Sequence, residues 1–209
     1  MLFNLPYKDY SFKLIQNDIL YLDEYKEYLD FFFYKFHKKR QIEFISGRVA
    51  LIKSLKDLNV KFNTKQLISN YQIYNFKFDN FISSISHSHK YAGALTSKNP
   101  SSIIGFDIEK IKETFNSRLA KKIFTSKELV LLKNKEVNFF QLFSLKECFY
   151  KALNTHCITY PNFQDVNFIK IDNHQFYAEV KNNILPINFS DLNFYSHIYN
   201  DYYLSFYLK

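Results

Sequence analysis

Glycine is scarce: three in 209 residues. That excludes a Gly-rich loop of the kind that cradles phosphates, and it excludes a Gly/Ser linker between domains. Cysteine is nearly as rare, and the two present, Cys148 and Cys157, have no CxxC spacing. Neither a zinc site nor a disulfide framework is suggested, so each reads as a free structural thiol. No long apolar run occurs; FFFY at 31–34 is far too short to span a bilayer. The opening MLFNLPYKDYSF lacks the basic region, apolar block and cleavage site of a secretory leader. The expected location is the cytoplasm, with no membrane partner.

Aromatic side chains are abundant. The 24 Phe and 17 Tyr within a 47% hydrophobic chain rule out a disordered protein and supply large side chains for burial. Lys and Arg exceed Asp and Glu by 28 to 20, a formal charge of +8. Such an excess favours an anionic partner: nucleic acid, a phosphorylated small molecule or an acidic protein. The charges are not blocked into tails and the aromatics form no nucleic-acid motif, so charge alone does not choose.

One strand-like stretch concentrates carboxylates. In SIIGFDIE, Ile104, Phe106 and Ile108 alternate with Gly105, Asp107 and Glu109, the period of a half-buried strand. Asp107 and Glu109 then share a face, roughly 7 Å apart at a strand's rise. Carboxylates that close repel unless a cation or basic group lies between them, and oxygen ligands of this kind suit Mg²⁺ carrying substrate phosphates. Gly105 on the same face leaves room for a ligand to approach the backbone. A plainer reading is a solvent-facing strand edge with two surface acids.

The rest of the chain reads as mixed helix and strand. Residues 18–37 are partly helical. RQIEFISGRVALIKSLKDL, 40–58, carries an apolar stripe at Ile42, Ile45, Val49, Ile52 and Leu55, with Arg40, Glu43 and Gly47 on another side. A mid-helix glycine costs about 1 kcal/mol, so Gly47 has a packing or ligand-approach reason. Arg40 and Arg48 could each bind phosphate or simply form a solvated basic face. YQIYNFKF, FISSISHS and KYAGALTS look like short strands, with Ile85 and His87 on one face and Ser84, Ser86 and Ser88 on the other. His87 and His89 without a third ligand are weak grounds for zinc. SRLAKKIF is a short basic helix, and Thr125 and Glu128 have capping-box spacing before ELVLLK. In NFFQLFSLKECFYKAL, 138–153, Leu142, Leu145, Phe149 and Ala152 form the buried stripe, with Glu147 and Lys151 at i,i+4 on another face. Ser144 to Glu147 could be a capping box and Glu147 with Lys151 an ordinary ion pair. DVNFIKI, QFYAEVK, LNFYSHIY and DYYLSFYL complete the chain as strands, with Asn200-Asp201 a hairpin turn.

In order, SSISHS, IGFDIE, FTSKE and FSLKECFYKA resemble the motifs of the Sfp-type 4'-phosphopantetheinyl transferases. KRQIEFISGRVAL resembles the branch that includes the enterobactin-synthetase activating enzymes. The similarity runs from about Lys39 to Leu153.

The resemblance implies an α+β, pseudo-duplicated fold: two similar halves, each with a small antiparallel sheet and packed helices, the coenzyme and metal in the cleft between them. Residues 1–100 would be the N-terminal half, with the nucleotide contacts, and 101–209 the C-terminal half, with the metal-binding acids and catalytic helix. It implies that Asp107, Glu109 and Glu147 hold Mg²⁺, or Mn²⁺, on the pyrophosphate of coenzyme A. Lys151 would contact those phosphates. Ser86 and His87 would sit against the nucleotide end, and Arg40, with Arg48 and Lys38, would help bind its phosphates. The implied reaction moves 4'-phosphopantetheine onto a serine of an acyl or peptidyl carrier protein, releasing 3',5'-ADP, with Glu147 or a metal-bound water directed by Glu109 taking the serine proton. A monomer is expected. The alternative is a noncatalytic module of the same fold that binds coenzyme A or a carrier. Two departures stand out: Phe143 replaces the family's Trp in a chain with no Trp, and FKFDNF stands where a G-K-P segment is usual, leaving Lys77 as the candidate basic contact.

Overall fold

The computed structural model describes residues 8–30, 33–70, 75–181, 183–186 and 191–209. The chain divides into two compact units, Met1–Ile104 and Gly105–Lys209. Both combine an antiparallel ladder of strands with helices, as the α+β expectation required. Among the described residues no helix is long and apolar enough to cross a membrane.

The N-terminal unit is a four-stranded sheet and one long helix. Strand β1 (Tyr10–Gln16) precedes a short helix α1 (Leu20–Tyr25), the long helix α2 (Lys38–Asp57) and a short helix α3 (Thr64–Ile68). Strands β2 (Asn75–Phe78), β3 (Phe81–Ser88) and β4 (Tyr91–Ser97) follow, and the sheet order is β1-β4-β3-β2, antiparallel throughout. Helix α2 is more deeply buried than its apolar stripe foretold: Gln41 and every residue from Glu43 to Ile52 are interior. The side assigned to Glu43 and Gly47 is therefore packed too. A Cβ on Gly47 would come within 2.8 Å of Ile85 Cγ2, so this glycine lets α2 lie close on β3, and the reason is packing rather than ligand approach. Around the helix, Phe33, Phe44, Leu51, Leu55, Ile68 and Phe76 form one core cluster. Truncating such a side chain to Ala costs about 2–5 kcal/mol.

Strand β1 and helix α3 lie outside the sequence reading. β1 does alternate Phe12 and Leu14 with Ser11 and Lys13, and α3 has a clear start, with Asn63 Oδ1 accepting from Gln66 N. Of the strand expected over YQIYNFKF, Asn75–Phe78 forms and residues 71–74 lie outside the described residues.

The C-terminal unit begins with β5 (Ile104–Lys110), whose first residue belongs to the preceding unit, and continues with helices α4 (Ser117–Ile123), α5 (Ser126–Lys133) and α6 (Phe139–Leu153). Four strands follow: β6 (Val166–Lys170), β7 (Gln175–Val180), β8 (Asn193–Tyr199) and β9 (Tyr202–Leu208), and the sheet order is β5-β9-β8-β7-β6. The β8–β9 hairpin turns at Asn200, which takes φ 52°. The capping box at α5 forms as its spacing required, Thr125 and Glu128 each accepting from the other's backbone N–H. Asn138 caps α6, so Ser144 is mid-helix and the capping box considered at Ser144–Glu147 does not exist.

Candidate active site

The acidic strand and the lysine helix meet. On β5, Ile104, Phe106 and Ile108 are fully buried. Gly105, on the opposite face, has the backbone of α6 against it: a Cβ there would lie 2.4 Å from the Cys148 carbonyl oxygen and 2.8 Å from Ala152 Cβ. The space left by this glycine is thus taken by a helix and not by a ligand. Its consequence is reach, because one residue pair further along β5 the ammonium of Lys151 lies 2.7 Å from Asp107 Oδ1. Lys151 pairs with the strand and not with Glu147 one turn away, so the ordinary helix ion pair is not what forms. Asp107 is 3% exposed, which disposes of the surface-acid reading.

Glu109 and Glu147 are half-buried beside this pair. Glu109 is pushed up to about 8, first by burial and then by the charge of Asp107, with Lys151 pulling it down, Glu147 adding to the rise and Lys112 opposing it. Glu147 is raised by burial and by Asp107, with Lys151 opposing. Three carboxylates therefore share one ammonium, and the charge of Asp107 makes ionisation of both glutamates harder. In chemical kind this donor set fits a hard divalent cation. Among the described residues no three His, Cys, Asp or Glu side chains are gathered tightly enough to ligate an ion as they stand, so Glu109 and Glu147 would have to turn inward to do so. Cys148, in the midst of these acids, has its thiol pushed well up by burial. It is inert.

Helix α6 is anchored from its far side by a pair the sequence reading missed. Lys146 and Glu128 are both fully buried and 2.9 Å apart. Lys146 also donates to the carbonyls of Phe163 (2.8 Å) and Val166, while Glu128 accepts from Phe168 N and Thr125 N, each at 2.8 Å. Burial pulls the Lys146 ammonium down and Glu128 holds it up. Val166 and Phe168 lie on β6, the sheet's outer strand, so the pair also covers backbone groups that an edge strand leaves open. Phe143 stacks between Phe139 and Phe163 at 6.2 Å from each.

In the N-terminal unit the expected phosphate and nucleotide contacts separate into three kinds. Arg40 is exposed and its Nη1 bonds His87 Nε2, while His87 Nδ1 lies 3.5 Å from Glu43 Oε2 and Lys39 Nζ lies 3.8 Å from Glu43 Oε1. Glu43, one turn from Arg40 on α2, is the partner that sequence reasoning passed over. Arg48 is different: 5% exposed, it donates to the Asn70 carbonyl at 2.6 Å and lies over the rings of Phe44 (4.1 Å) and Phe76 (4.3 Å). That arrangement makes it a structural cation of the core, and the phosphate role given to it is withdrawn. Lys77 is exposed opposite Ile82, five residues along β3 from His87, or about 16 Å at a strand's rise; it is not brought to the Arg40 cluster. Ser86 is buried and, by strand alternation, points to the other sheet face from His87. Lys38 opens α2. His89 leaves the strand at φ 50°, which breaks the HSH pairing behind the zinc reading.

Comparison with known families now bears on this geometry. A model of the 4'-phosphopantetheinyl transferase superfamily matches residues 103–206, and a model of the 4'-phosphopantetheinyl transferase N-terminal domain matches residues 31–97. The chain belongs to this superfamily. The C-terminal match spans β5 and α6 and so includes Asp107, Glu109, Glu147 and Lys151; the N-terminal match spans α2 and β3 and so includes Arg40, Glu43 and His87. No curated protein matches the chain.

Proposed function

We propose that this transferase moves the 4'-phosphopantetheine group of coenzyme A onto a serine hydroxyl of an acyl or peptidyl carrier protein, with Mg²⁺ as the supporting cation. The observation that carries the reading is the gathering of Asp107, Glu109 and Glu147 around Lys151 from two elements of one unit. The serine oxygen attacks the β-phosphorus of the coenzyme's pyrophosphate, the bond to the bridging oxygen breaks, and 3',5'-ADP leaves. Such transfer depends on positioning and on neutralising phosphate charge.

Each residue has a distinct task in this reading. Asp107, Glu109 and Glu147 would hold the divalent cation, whose chemistry is to neutralise pyrophosphate oxygens. Lys151, which Asp107 holds beside the acids, would turn its ammonium to the phosphates. Glu147 and Glu109 are the two groups able to receive the serine proton. Arg40 and His87 would meet the phosphates at the nucleotide end, with Glu43 beside Nδ1 orienting the imidazole so that Nε2 meets Arg40. The wording of α2, KRQIEFISGRVAL, supports the branch that includes the enterobactin-synthetase activating enzymes. We take the protein to act as a cytoplasmic monomer.

Incubation with an apo carrier protein, coenzyme A and Mg²⁺ tests the reading by intact mass. The carrier gains one phosphopantetheine group; no gain on acyl or peptidyl carriers defeats it. Asp107→Ala lowers turnover by about 10²–10³-fold, the scale of losing one preorganised charge contact, with the unfolding transition retained. Near-normal turnover would remove Asp107 from the site.

A further inference from the structure

Three serine hydroxyls of the C-terminal unit are buried without a partner. Ser144, Ser196 and Ser205 are each at most 1% exposed, and among the described residues nothing accepts from or donates to their Oγ atoms. A buried hydroxyl left without a hydrogen bond is both costly and uncommon. Three in one unit call for a common cause.

The strand register gathers them. Ser196 and Ser205 are directly opposite each other on β8 and β9. Two positions further along, Phe194 and Tyr207 stack at 4.6 Å, and Phe149 of α6 stacks on Phe194 at 6.0 Å, so by alternation both serines face α6. On the other side of β9, Ile111 N donates to the Asp201 carbonyl and the Phe106 ring lies 5.3 Å from that of Phe206. That antiparallel pairing sets Asp107 opposite Ser205 on the same face, one strand spacing or about 5 Å away. Helix α6 runs against β5 with Phe140 beside Lys112, Lys151 on Asp107 and Ala152 against Gly105. Ser144 therefore lies over the stretch between Asp107 and Lys112. A mid-helix serine commonly bonds the carbonyl four residues back, and this one does not. Asp107, Ser205 and Ser196 thus form a row across three strands beneath α6, with Ser144 over its acidic end.

A hydroxyl both donates and accepts, so three of them suit a guest that does both. A water molecule is such a guest and needs two to four polar partners. A cation fits less well, because the only charge in the row, on Asp107, is already met by Lys151. We infer that Ser144, Ser196 and Ser205 enclose a buried water between α6 and the sheet, and that through it Ser205 orients the Asp107 carboxylate. The role at Asp107 rests on the transferase reading above; the water does not. Ser205 is then a positioning residue: a carboxylate that holds a cation is itself held by hydrogen bonds, and Ser205, directly across the ladder, is placed to relay one.

Unfolding midpoints and Mn²⁺ affinity test the two parts. With a shared water, Ser196→Ala and Ser205→Ala each lower the midpoint, and the double variant loses less than the two single losses together, because the water is lost once. A dry site gives the opposite sign, since Ala removes an unmet hydroxyl. Ser144→Ala sharpens the contrast: Ala also raises helix propensity, so a lower midpoint there runs against both effects. Midpoints that rise in all three variants, or losses that simply add, overturn the water.

Free Mn²⁺, followed by electron paramagnetic resonance in titrations with coenzyme A present, reads the role at Asp107. Ser205→Ala raises the Mn²⁺ Kd about tenfold or more. Ser83→Ala, which removes an equally buried hydroxyl bonded to the Leu95 carbonyl in the N-terminal unit, lowers the midpoint and leaves that Kd unchanged. An unchanged Kd in Ser205→Ala, or an equal rise in Ser83→Ala, removes Ser205 from the positioning of Asp107. Wild-type protein that takes up no Mn²⁺ defeats the transferase reading and the role of Ser205 with it, while the midpoints still decide the water.

Discussion

The two units share a plan and reverse its charges. Each sets one long helix on an antiparallel sheet, and in each a glycine permits the close approach: on the helix in the N-terminal unit, where Gly47 meets Ile85, and on the strand in the C-terminal unit, where Gly105 meets Cys148 and Ala152. Near that contact the N-terminal unit places Lys39, Arg40 and His87 around one acid, Glu43. The C-terminal unit places three acids around one lysine. The first cluster holds more cationic groups than acids, and the second more acids than cations. The comparison extends to the buried cations: Arg48 is held by a carbonyl and two ring faces, Lys146 by a carboxylate and two carbonyls.

Removing those cations should give the largest difference. Lys146→Met leaves the Glu128 carboxylate buried without its counter-ion, a loss of about 3–5 kcal/mol. Arg48→Met takes the guanidinium from the Asn70 carbonyl and from the rings of Phe44 and Phe76, and strands no buried carboxylate among these contacts, about 1–3 kcal/mol. Thermal unfolding of the two variants measures the gap, and adding Glu128→Gln to Lys146→Met recovers part of the loss. Equal destabilisation by Arg48→Met and Lys146→Met would erase the distinction drawn between them.

The glycines come next. Ala at 105 drives its Cβ into a backbone carbonyl at 2.4 Å, so α6 must move; the cost is about 1–3 kcal/mol, and Lys151 is drawn off Asp107. Ala at 47 meets only the tip of a rotatable Ile side chain at 2.8 Å and gains about 0.5–1 kcal/mol of helix propensity. Gly47→Ala should therefore unfold near wild type while Gly105→Ala loses both stability and transfer. If Gly47→Ala proved the more damaging, the close approach in the N-terminal unit would be the tighter one.

Much of this was legible in the residues because local rules governed it. Period-2 alternation gave β5 and the C-terminal strands, Thr125 with Glu128 gave the start of α5, and i,i+4 spacing put Glu147 and Lys151 on one face of α6. What spacing cannot give is which partner a long side chain chooses. Lys151 turned to Asp107 across the strand–helix contact, and Lys146 turned inward to Glu128, 18 positions earlier in the chain. Arg48 has the sequence signature of an exposed basic position, yet its guanidinium is less strongly hydrated than an ammonium and stacks on rings, so two phenylalanines could hold it inside. Strand β1 pairs with β4, some eighty residues away, a partner that its short alternation does not name.

A slope with pH is also expected, and it arises where the acids crowd. Glu109 titrates near 8 in the folded chain against an ordinary 4.5, so between those values the folded state binds more protons than the unfolded one. Stability then falls as pH rises through that window. With EDTA present, the unfolding midpoint of the wild type should decline from pH 5 to pH 8, and Glu109→Gln should flatten part of that decline. Asp107→Asn, by removing the second-largest cause of the shift, should confine the decline to lower pH. On the proposed function Mg²⁺ would act in the opposite direction, since binding to the ionised acids would strengthen as pH rises; the wild type's midpoint should then respond to Mg²⁺ more at pH 8 than at pH 6. A midpoint that rises steadily from pH 5 to pH 8 without metal, and does so equally in Glu109→Gln, would mean that the three acids are not in conflict and that the C-terminal unit has no standing need for a cation.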